Sequence, residues 1–215
     1  MRRTNIPDAA IRRLPVYLRV VSELAEADVP IISSAEMAER TGLSPEQIRK
    51  DLAYFGAFGT RGVGYDTALL ARRIARILGL HRGVKAALVG AGHLGHALAR
   101  YSISQHKDIQ ITAIFDTDPE KIGTDVMGVP IQPVSELVET CRAKGVKIGI
   151  VAVPASAAQT TAELLKEGGV EAILNFAPAK LKVEDVFVQN IDLTIELQSL
   201  AYYTSASEGD PGDGQ

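Results

Sequence analysis

The run Gly90-Ala-Gly-His-Leu-Gly95 spaces three glycines as G-x-G-x-x-G, directly between the apolar Val84–Val89 and a helix-forming stretch reaching about Ser102. Each glycine answers a different need. Gly90 allows a tight turn, Gly92 lets a ligand's phosphates approach the backbone, and Gly95 lets the helix pack on the strand. With Ala91, His93 and Leu94 between them, the helix start offers unpaired N–H groups and a partial positive charge to an anion. Twenty-one residues past Gly95, Asp116 closes a second strand-like run, Ile109–Phe115. A carboxylate there accepts hydrogen bonds from adenosine ribose hydroxyls and repels a 2′-phosphate. Spacing and context together predict a site for NAD(H) rather than NADP(H), against the plainer alternative of a tight turn in an unliganded α/β domain.

A second set of residues suits a different ligand. Ser44-Pro-Glu-Gln47 predicts a capping box with Pro45 at the first helical position, opening a helix to about Phe55. Ile48, Leu52 and Phe55 share one face of it, and Gln47, Arg49, Lys50 and Tyr54 lie on the other. The preceding helix opens with the pair Ser33 and Glu36 and ends near Thr41-Gly42, so the two form a helix-turn-helix. Gln47, Arg49 and Lys50 occupy the end of the second helix that meets base edges in a major groove. Arginine and glutamine make paired hydrogen bonds to guanine and adenine, while Ser44 and Tyr54 suit phosphate contacts. The alternatives are a solvated helix face or a protein-interaction module. Gly56–Tyr65, with four glycines among two aromatics and Val63, predicts a wing, with Arg61 and Gly62 at a tip suited to a minor groove.

These residues need elements to position them. An amphipathic helix is expected from Asp8 to Ala27, with Pro15 either kinking it or marking its effective start. A short apolar step, Val29–Ile32, follows. Asp66 or Thr67 should cap a further helix ending near Gly79, whose polar side carries Arg72, Arg73 and Arg76. Beyond it, strand-like runs at 129–132, 146–153, 170–176 and 187–191 alternate with helical stretches at 135–143 and 156–167, the latter opening with a Ser156/Gln159 capping box. That alternation predicts an α/β fold with a doubly wound parallel sheet. The expected division is a winged helix DNA-binding domain over 1–82, a Rossmann-like NAD(H)-binding domain over 83–191, a C-terminal helix over 192–204 and a disordered tail over 205–215.

Charge divides in the same place. Residues 1–83 carry 13 Lys and Arg against 9 Asp and Glu, four positive charges in excess; residues 84–215 carry 10 against 17, seven negative in excess. A basic first part on an acidic remainder implies different partners for the two. No apolar run approaches the roughly 18 residues that cross a bilayer, and the start lacks a secretory apolar core, so no membrane partner and a cytoplasmic location are expected. The four histidines, 81, 93, 96 and 106, lack the neighbours of a metal site, and Cys141 has no partner for a disulfide. Ser102, Ser104, His106 and Asp108 cluster in an expected loop as solvated polar residues. Two other functions share parts of this pattern: an NAD-dependent oxidoreductase with an accessory N-terminal domain, and a CoA-binding α/β protein. No second substrate domain or hydride-transfer histidine supports the first, and Asp116 argues for a ribose-bonded dinucleotide over the second.

Five segments in this order resemble the Rex family of redox-sensing transcriptional repressors: Gln47-Ile-Arg-Lys-Asp-Leu-Ala-Tyr-Phe-Gly56, Gly59-Thr-Arg-Gly-Val-Gly-Tyr65, Val89-Gly-Ala-Gly-His-Leu-Gly95, Leu174-Asn-Phe-Ala-Pro178 and Asn190-Ile-Asp-Leu-Thr-Ile-Glu-Leu-Gln-Ser-Leu200. The resemblance implies a homodimeric, non-enzymatic repressor on inverted-repeat operator DNA, released when NADH binds as a regulatory ligand. It further implies a C-terminal helix swapped onto the partner subunit. Val151–Pro154, with Val153 and Pro154, and Asn175, Phe176 and Ala177 would line the dinucleotide, and Arg19, Tyr101 and Asp192 would link the nicotinamide pocket to the DNA-binding domain. Some members carry an aromatic where this chain has Leu193.

Overall fold

The computed structural model describes residues 6–56, 58–60, 62–105 and 108–205, so Arg61, His106 and the 206–215 part of the tail lie outside it. The chain divides into two compact units, Met1–Gly83 and Val84–Gln215.

In the first unit, helix α1 (Asp8–Glu26) runs through Pro15 without a break. It turns Leu14, Tyr17, Val21 and Leu24 inward at helical spacing. Strand β1 (Ile31–Ile32) accounts for the apolar step before α2 (Ser34–Thr41). The Ser33/Glu36 box closes in both directions, at 3.1 and 2.7 Å, and Gly42 ends α2 in the left-handed region that glycine adopts freely. Helix α3 (Pro45–Ala53) stops two residues short of the expected end. Its box closes in one direction only: Ser44 Oγ accepts from the Gln47 N–H at 3.1 Å, but the Gln47 side chain turns the other way, onto Asp51. Strand β2 (Tyr65–Asp66) pairs antiparallel with β1, and Thr60 bridges Gly64 at the base of the glycine-rich hairpin. Asp66 rather than Thr67 caps α4 (Thr67–Ile77), its Oδ1 accepting from the Leu69 N–H at 2.7 Å. Tyr17, Ile32, Met37, Ile48, Leu70 and Ile74 form the sealed centre of this unit.

The second unit holds β3 (Val84–Val89), α5 (His93–Gln105), β4 (Ile109–Asp116), β5 (Asp125–Val126), β6 (Val129–Pro133), α6 (Leu137–Lys144), β7 (Ile148–Val151), α7 (Ala155–Glu167), β8 (Ala172–Asn175), β9 (Phe187–Asn190) and α8 (Leu193–Ser205). The sheet order is β5-β6-β4-β3-β7-β8-β9, all parallel except the β5–β6 hairpin. Without β5, that is the doubly wound order of dinucleotide-binding folds, which reverses between β3 and β7. Ligands bind at the carboxyl ends of the strands beside such a reversal.

Three expectations need correction here. The two-residue β5 was not foreseen, because its apolar signal is a single buried Val126. Helix α5 extends to Gln105, so Ser102 and Ser104 are helical rather than in a loop. The Ser156/Gln159 box does not form. Helix α7 begins at Ala155 after Pro154, with no side-chain cap, and the Gln159 amide instead clamps both backbone groups of Lys182 at 2.9 and 3.1 Å. Cys141 is buried against the sheet, and burial pushes its thiol up to about 11.

Candidate functional site

The glycine turn sits at the carboxyl end of β3, beside the reversal. Gly90 has φ +98°, and a Cβ there would meet Ala152 O at 2.3 Å. A Cβ on Gly95 would meet Gly90 O at 1.8 Å. These two glycines are therefore dictated by the fold itself. Gly92 differs: a Cβ there meets nothing within 4 Å. The space is open in front of the α5 terminus, where the first backbone N–H groups have no acceptor within the helix. A pyrophosphate fits that cradle, and so the residues present suit a dinucleotide. His96 steadies the turn from behind, its Nδ1 lying 2.9 Å from Ala91 O and 3.2 Å from Gly92 O. His93 and Leu94 are exposed on the first turn of α5.

Asp116 lies at the end of β4, one strand over, and is nearly buried. Its Oδ2 accepts the Ala91 N–H at 2.7 Å, and its Oδ1 accepts the N–H groups of Thr117 and Asp118 at 2.8 and 2.9 Å. Burial alone would raise its pKa, but those N–H groups and Lys121, 3.5 Å away, hold it below the usual carboxylate range. The sequence pointed to this carboxylate as a ribose acceptor; the structure adds that it latches the glycine turn to the neighbouring strand. A carboxylate offers about four lone-pair sites; three go to backbone donors, and the fourth, which Lys121 approaches at 3.5 Å, is the one a hydroxyl would share.

The remaining nominated residues of this unit, apart from Tyr101, stand at or just after the carboxyl ends of strands. Val153 and Pro154 follow β7, and Phe176 and Ala177 follow β8. Val153 and Phe176 are half-buried and Ala177 is buried. Asn175 is fully buried with its amide committed inward. Nδ2 donates to Ala177 O, Ala179 O and Asn190 Oδ1 at 3.1, 2.8 and 2.9 Å, and Oδ1 accepts the Ala177 N–H at 3.0 Å. Its visible work is to shape the turn carrying Phe176 and Ala177. Asp192 starts α8, its Oδ1 accepting the Thr194 N–H at 2.9 Å as a cap. Tyr101 lies exposed on α5. Arg19, in the other unit, is exposed on α1.

In the first unit, Ser44, Arg49, Lys50 and Tyr54 are exposed on or beside α3, and Gly62 is exposed in the hairpin with φ +80°. Arg49 is steered rather than loose: Nη1 donates to Ser34 Oγ at 2.7 Å and Nη2 to Glu46 Oε1 at 2.8 Å. Arg49, Leu52 and Ser34 line one side of a cleft whose other side is the hairpin, Phe58 to Tyr65. Arg73 packs over the Phe58 ring at 5.7 Å, tying the hairpin base to α4.

Sequence reasoning missed a buried polar cluster beneath α3. Asp51 is fully buried and accepts from Arg13 Nε and Nη2 at 2.5 and 2.9 Å, from the Tyr17 hydroxyl at 2.6 Å and from Gln47 Nε2 at 2.7 Å. Burial alone would raise the Asp51 pKa, but these donors together hold it below its ordinary value. Tyr17 is pushed well above the usual phenol range by burial and by the carboxylate it bonds. A signal was available. Asp51 falls on the apolar face of α3 with Ile48 and Leu52, where an unpaired charge would be prohibitively costly.

A helix-turn-helix unit with a hairpin, followed by a doubly wound unit with a dinucleotide-type turn, defines a class of two-domain regulator. Comparisons with known proteins narrow it. The "CoA binding domain" family model matches residues 81–179, and the "Putative DNA-binding protein N-terminus" model matches residues 5–53. A redox-sensing transcriptional repressor Rex from Natranaerobius thermophilus is 48% identical over 94% of this chain and 92% of its own. Its namesake from Brevibacillus brevis is 48% identical over 93% and 97%. The crystal structure of RSP in complex with β-NAD+ and operator DNA superposes with a TM-score of 0.88 at 37% identity, over 95% of each chain; RSP is a Rex-family repressor. RSP in complex with β-NADH gives a TM-score of 0.82 at 35% identity, over 95% and 97%. This chain belongs to the Rex family of redox-sensing transcriptional repressors. Its relatives are named as regulators, and the oxidoreductase alternative is not favoured.

Proposed function

We propose that this chain is a homodimeric repressor that holds inverted-repeat operator DNA while NADH is scarce and leaves it when NADH binds. The observation that carries the reading is the open approach at Gly92, framed by two glycines that the fold itself requires. Family membership and the ligands in the RSP crystals, β-NAD+ with operator DNA in one and β-NADH in another, support it.

In this reading the N–H groups from Gly92 to Gly95 receive the pyrophosphate, while the Ala91 N–H stays on Asp116, which accepts a ribose hydroxyl. Val153, Pro154, Phe176 and Ala177 wall the rest of the site. When bound, the dinucleotide supplies a nicotinamide ring whose charge differs by one between its redox forms. Tyr101, Asp192 and Arg19 convert that difference into a change of dimer geometry. Arg49, Lys50 and Gln47 read the major groove, Ser44 and Tyr54 touch phosphates, and Arg61 and Gly62 serve a minor groove. A repressor of this kind works beside the chromosome, in the cytoplasm, and no helix among the described residues is long and apolar enough to cross a membrane.

Support for the dimer comes from α8. Leu193, Ile195, Leu197, Leu200, Tyr202 and Tyr203 are all 56–72% exposed, a broad apolar surface on one helix. Such a surface needs cover, which exchange between subunits supplies.

The test is fluorescence anisotropy on a labelled inverted-repeat duplex at fixed salt, without ligand, with NAD+ and with NADH. Specific binding abolished by NADH but not by NAD+ is expected. Specific binding indifferent to NADH would remove the coupling, and Asp192→Ala in an intact, NADH-binding dimer should separate ligand binding from release.

A further inference from the structure

We propose that Asp51 is a positioning residue that fixes the orientation of the Gln47 side-chain amide and thereby makes Gln47 a reader of adenine. The inference rests on the DNA-binding reading above and deepens it. Gln47 Nε2 donates to Asp51 Oδ1 at 2.7 Å, from one turn earlier on the same helix. A carboxylate only accepts, so Gln47 can present an N–H to it but not its carbonyl. The flipped amide would set two oxygens against each other at that distance. Asp51 cannot turn away to accommodate a flip. The Arg13 guanidinium engages both its oxygens at 2.5 and 2.9 Å, and the Tyr17 hydroxyl holds Oδ2 at 2.6 Å.

One amide hydrogen of Gln47 is therefore spent inward. In this proposal the spent hydrogen is the one trans to the carbonyl, which leaves the other N–H and the carbonyl side by side on the opposite edge of the amide. That donor beside an acceptor complements the N7 acceptor and N6 amine of adenine in the major groove. Guanine offers two acceptors there and would face the Gln47 carbonyl with its own O6. The bond to Asp51 exists without DNA, so the preference of Gln47 is set before DNA arrives.

The experiment uses the full chain and a duplex that the wild type selects from a random-sequence pool. In that duplex each adenine of a half-site is replaced singly by purine, which lacks the amine, and by 7-deazaadenine, which lacks N7. Wild type should lose about tenfold in affinity with either analogue at one adenine per half-site, the scale of one paired contact. Gln47→Leu should bind natural and substituted duplexes equally at that position. Asp51→Asn, whose amide can donate as well as accept, should shrink the adenine-over-guanine preference there to about twofold or less while keeping its salt dependence. Should Asp51→Asn fail to fold, Tyr17→Phe and Arg13→Lys loosen the carboxylate more gently, and a reduced preference in either supports the positioning role. An undiminished adenine preference in Gln47→Leu, or in all folded Asp51, Tyr17 and Arg13 variants, would overturn it. A wild type that selects no duplex overturns the DNA-binding reading itself, a result distinct from either.

Discussion

Gly92 and Gly95 stand three residues apart in one turn, yet they answer to different constraints. A methyl group on Gly95 collides with the Gly90 carbonyl, while one on Gly92 projects into open space. Gly92→Ala should therefore fold with stability within about 0.5 kcal/mol of wild type. It should still lose most of its NADH affinity, measured by quenching of nucleotide fluorescence. Gly95→Ala should lose both, with a lowered thermal midpoint in the absence of any ligand. Equal losses of stability in the two variants would contradict this division. Much of the site was legible at this scale because glycine spacing records backbone demands directly. The Asp116 latch on Ala91 was not legible, since its partners are backbone N–H groups that any sequence carries. Asn175 was nominated as a lining residue, yet its amide is turned into the fold; a short motif names a polar residue without saying which way it faces.

Between elements, the Arg13–Tyr17–Asp51 cluster joins α1 to α3 beneath the surface proposed to meet DNA. Removing the carboxylate while Arg13 stays charged breaks a largely buried pair, so Asp51→Ala should cost about 3 kcal/mol in urea unfolding of the N-terminal unit. The pH dependence has a definite sign. The Asp51 pKa is lower in the folded state than in the unfolded chain. Its contribution is therefore complete above the ordinary carboxylate range near ~4 and is lost as pH falls through the lower folded value. Acid titration of wild type and Asp51→Ala should accordingly show stability curves that converge toward low pH. Parallel curves would assign the cost to packing alone. Capping patterns show how far sequence reaches at this scale. Ser33 and Glu36 met as expected, but Ser44/Gln47 closed in one direction only and Ser156/Gln159 not at all: Asp51, one turn on in the same helix, claimed the first glutamine's side chain and Lys182, far along the chain, the second's. Local capping rules hold until another residue offers a better partner.

Across the whole molecule, sequence charge and fold divide together: a basic unit ends at Gly83 and an acidic one begins at Val84. DNA affinity should fall steeply with salt, linearly in a double-logarithmic plot. NADH affinity should change far less over the same range. In the proposed dimer α8 carries the subunit contact, so Leu197→Glu with Leu200→Glu should shift sedimentation from dimer to monomer while the dinucleotide unit stays folded. A dimer surviving that pair of charges would place the subunit contact elsewhere. The alternation of strands and helices made the doubly wound sheet legible from sequence, since parallel strands need long crossovers. The β5–β6 hairpin at its edge was not, being too short for any period to register.

The position of Cys141 bears on what kind of stress this protein can report. Thiols respond to peroxide or disulfide reagents as exposed thiolates, and the chain's single thiol is sealed under α6 and held protonated at neutral pH. An oxidant arriving in the cell thus finds no sulfhydryl trigger here. Its presence would reach the operator only after it had drained the pool of reduced nucleotide, so the protein would register the supply of electrons and not the agent that consumes them.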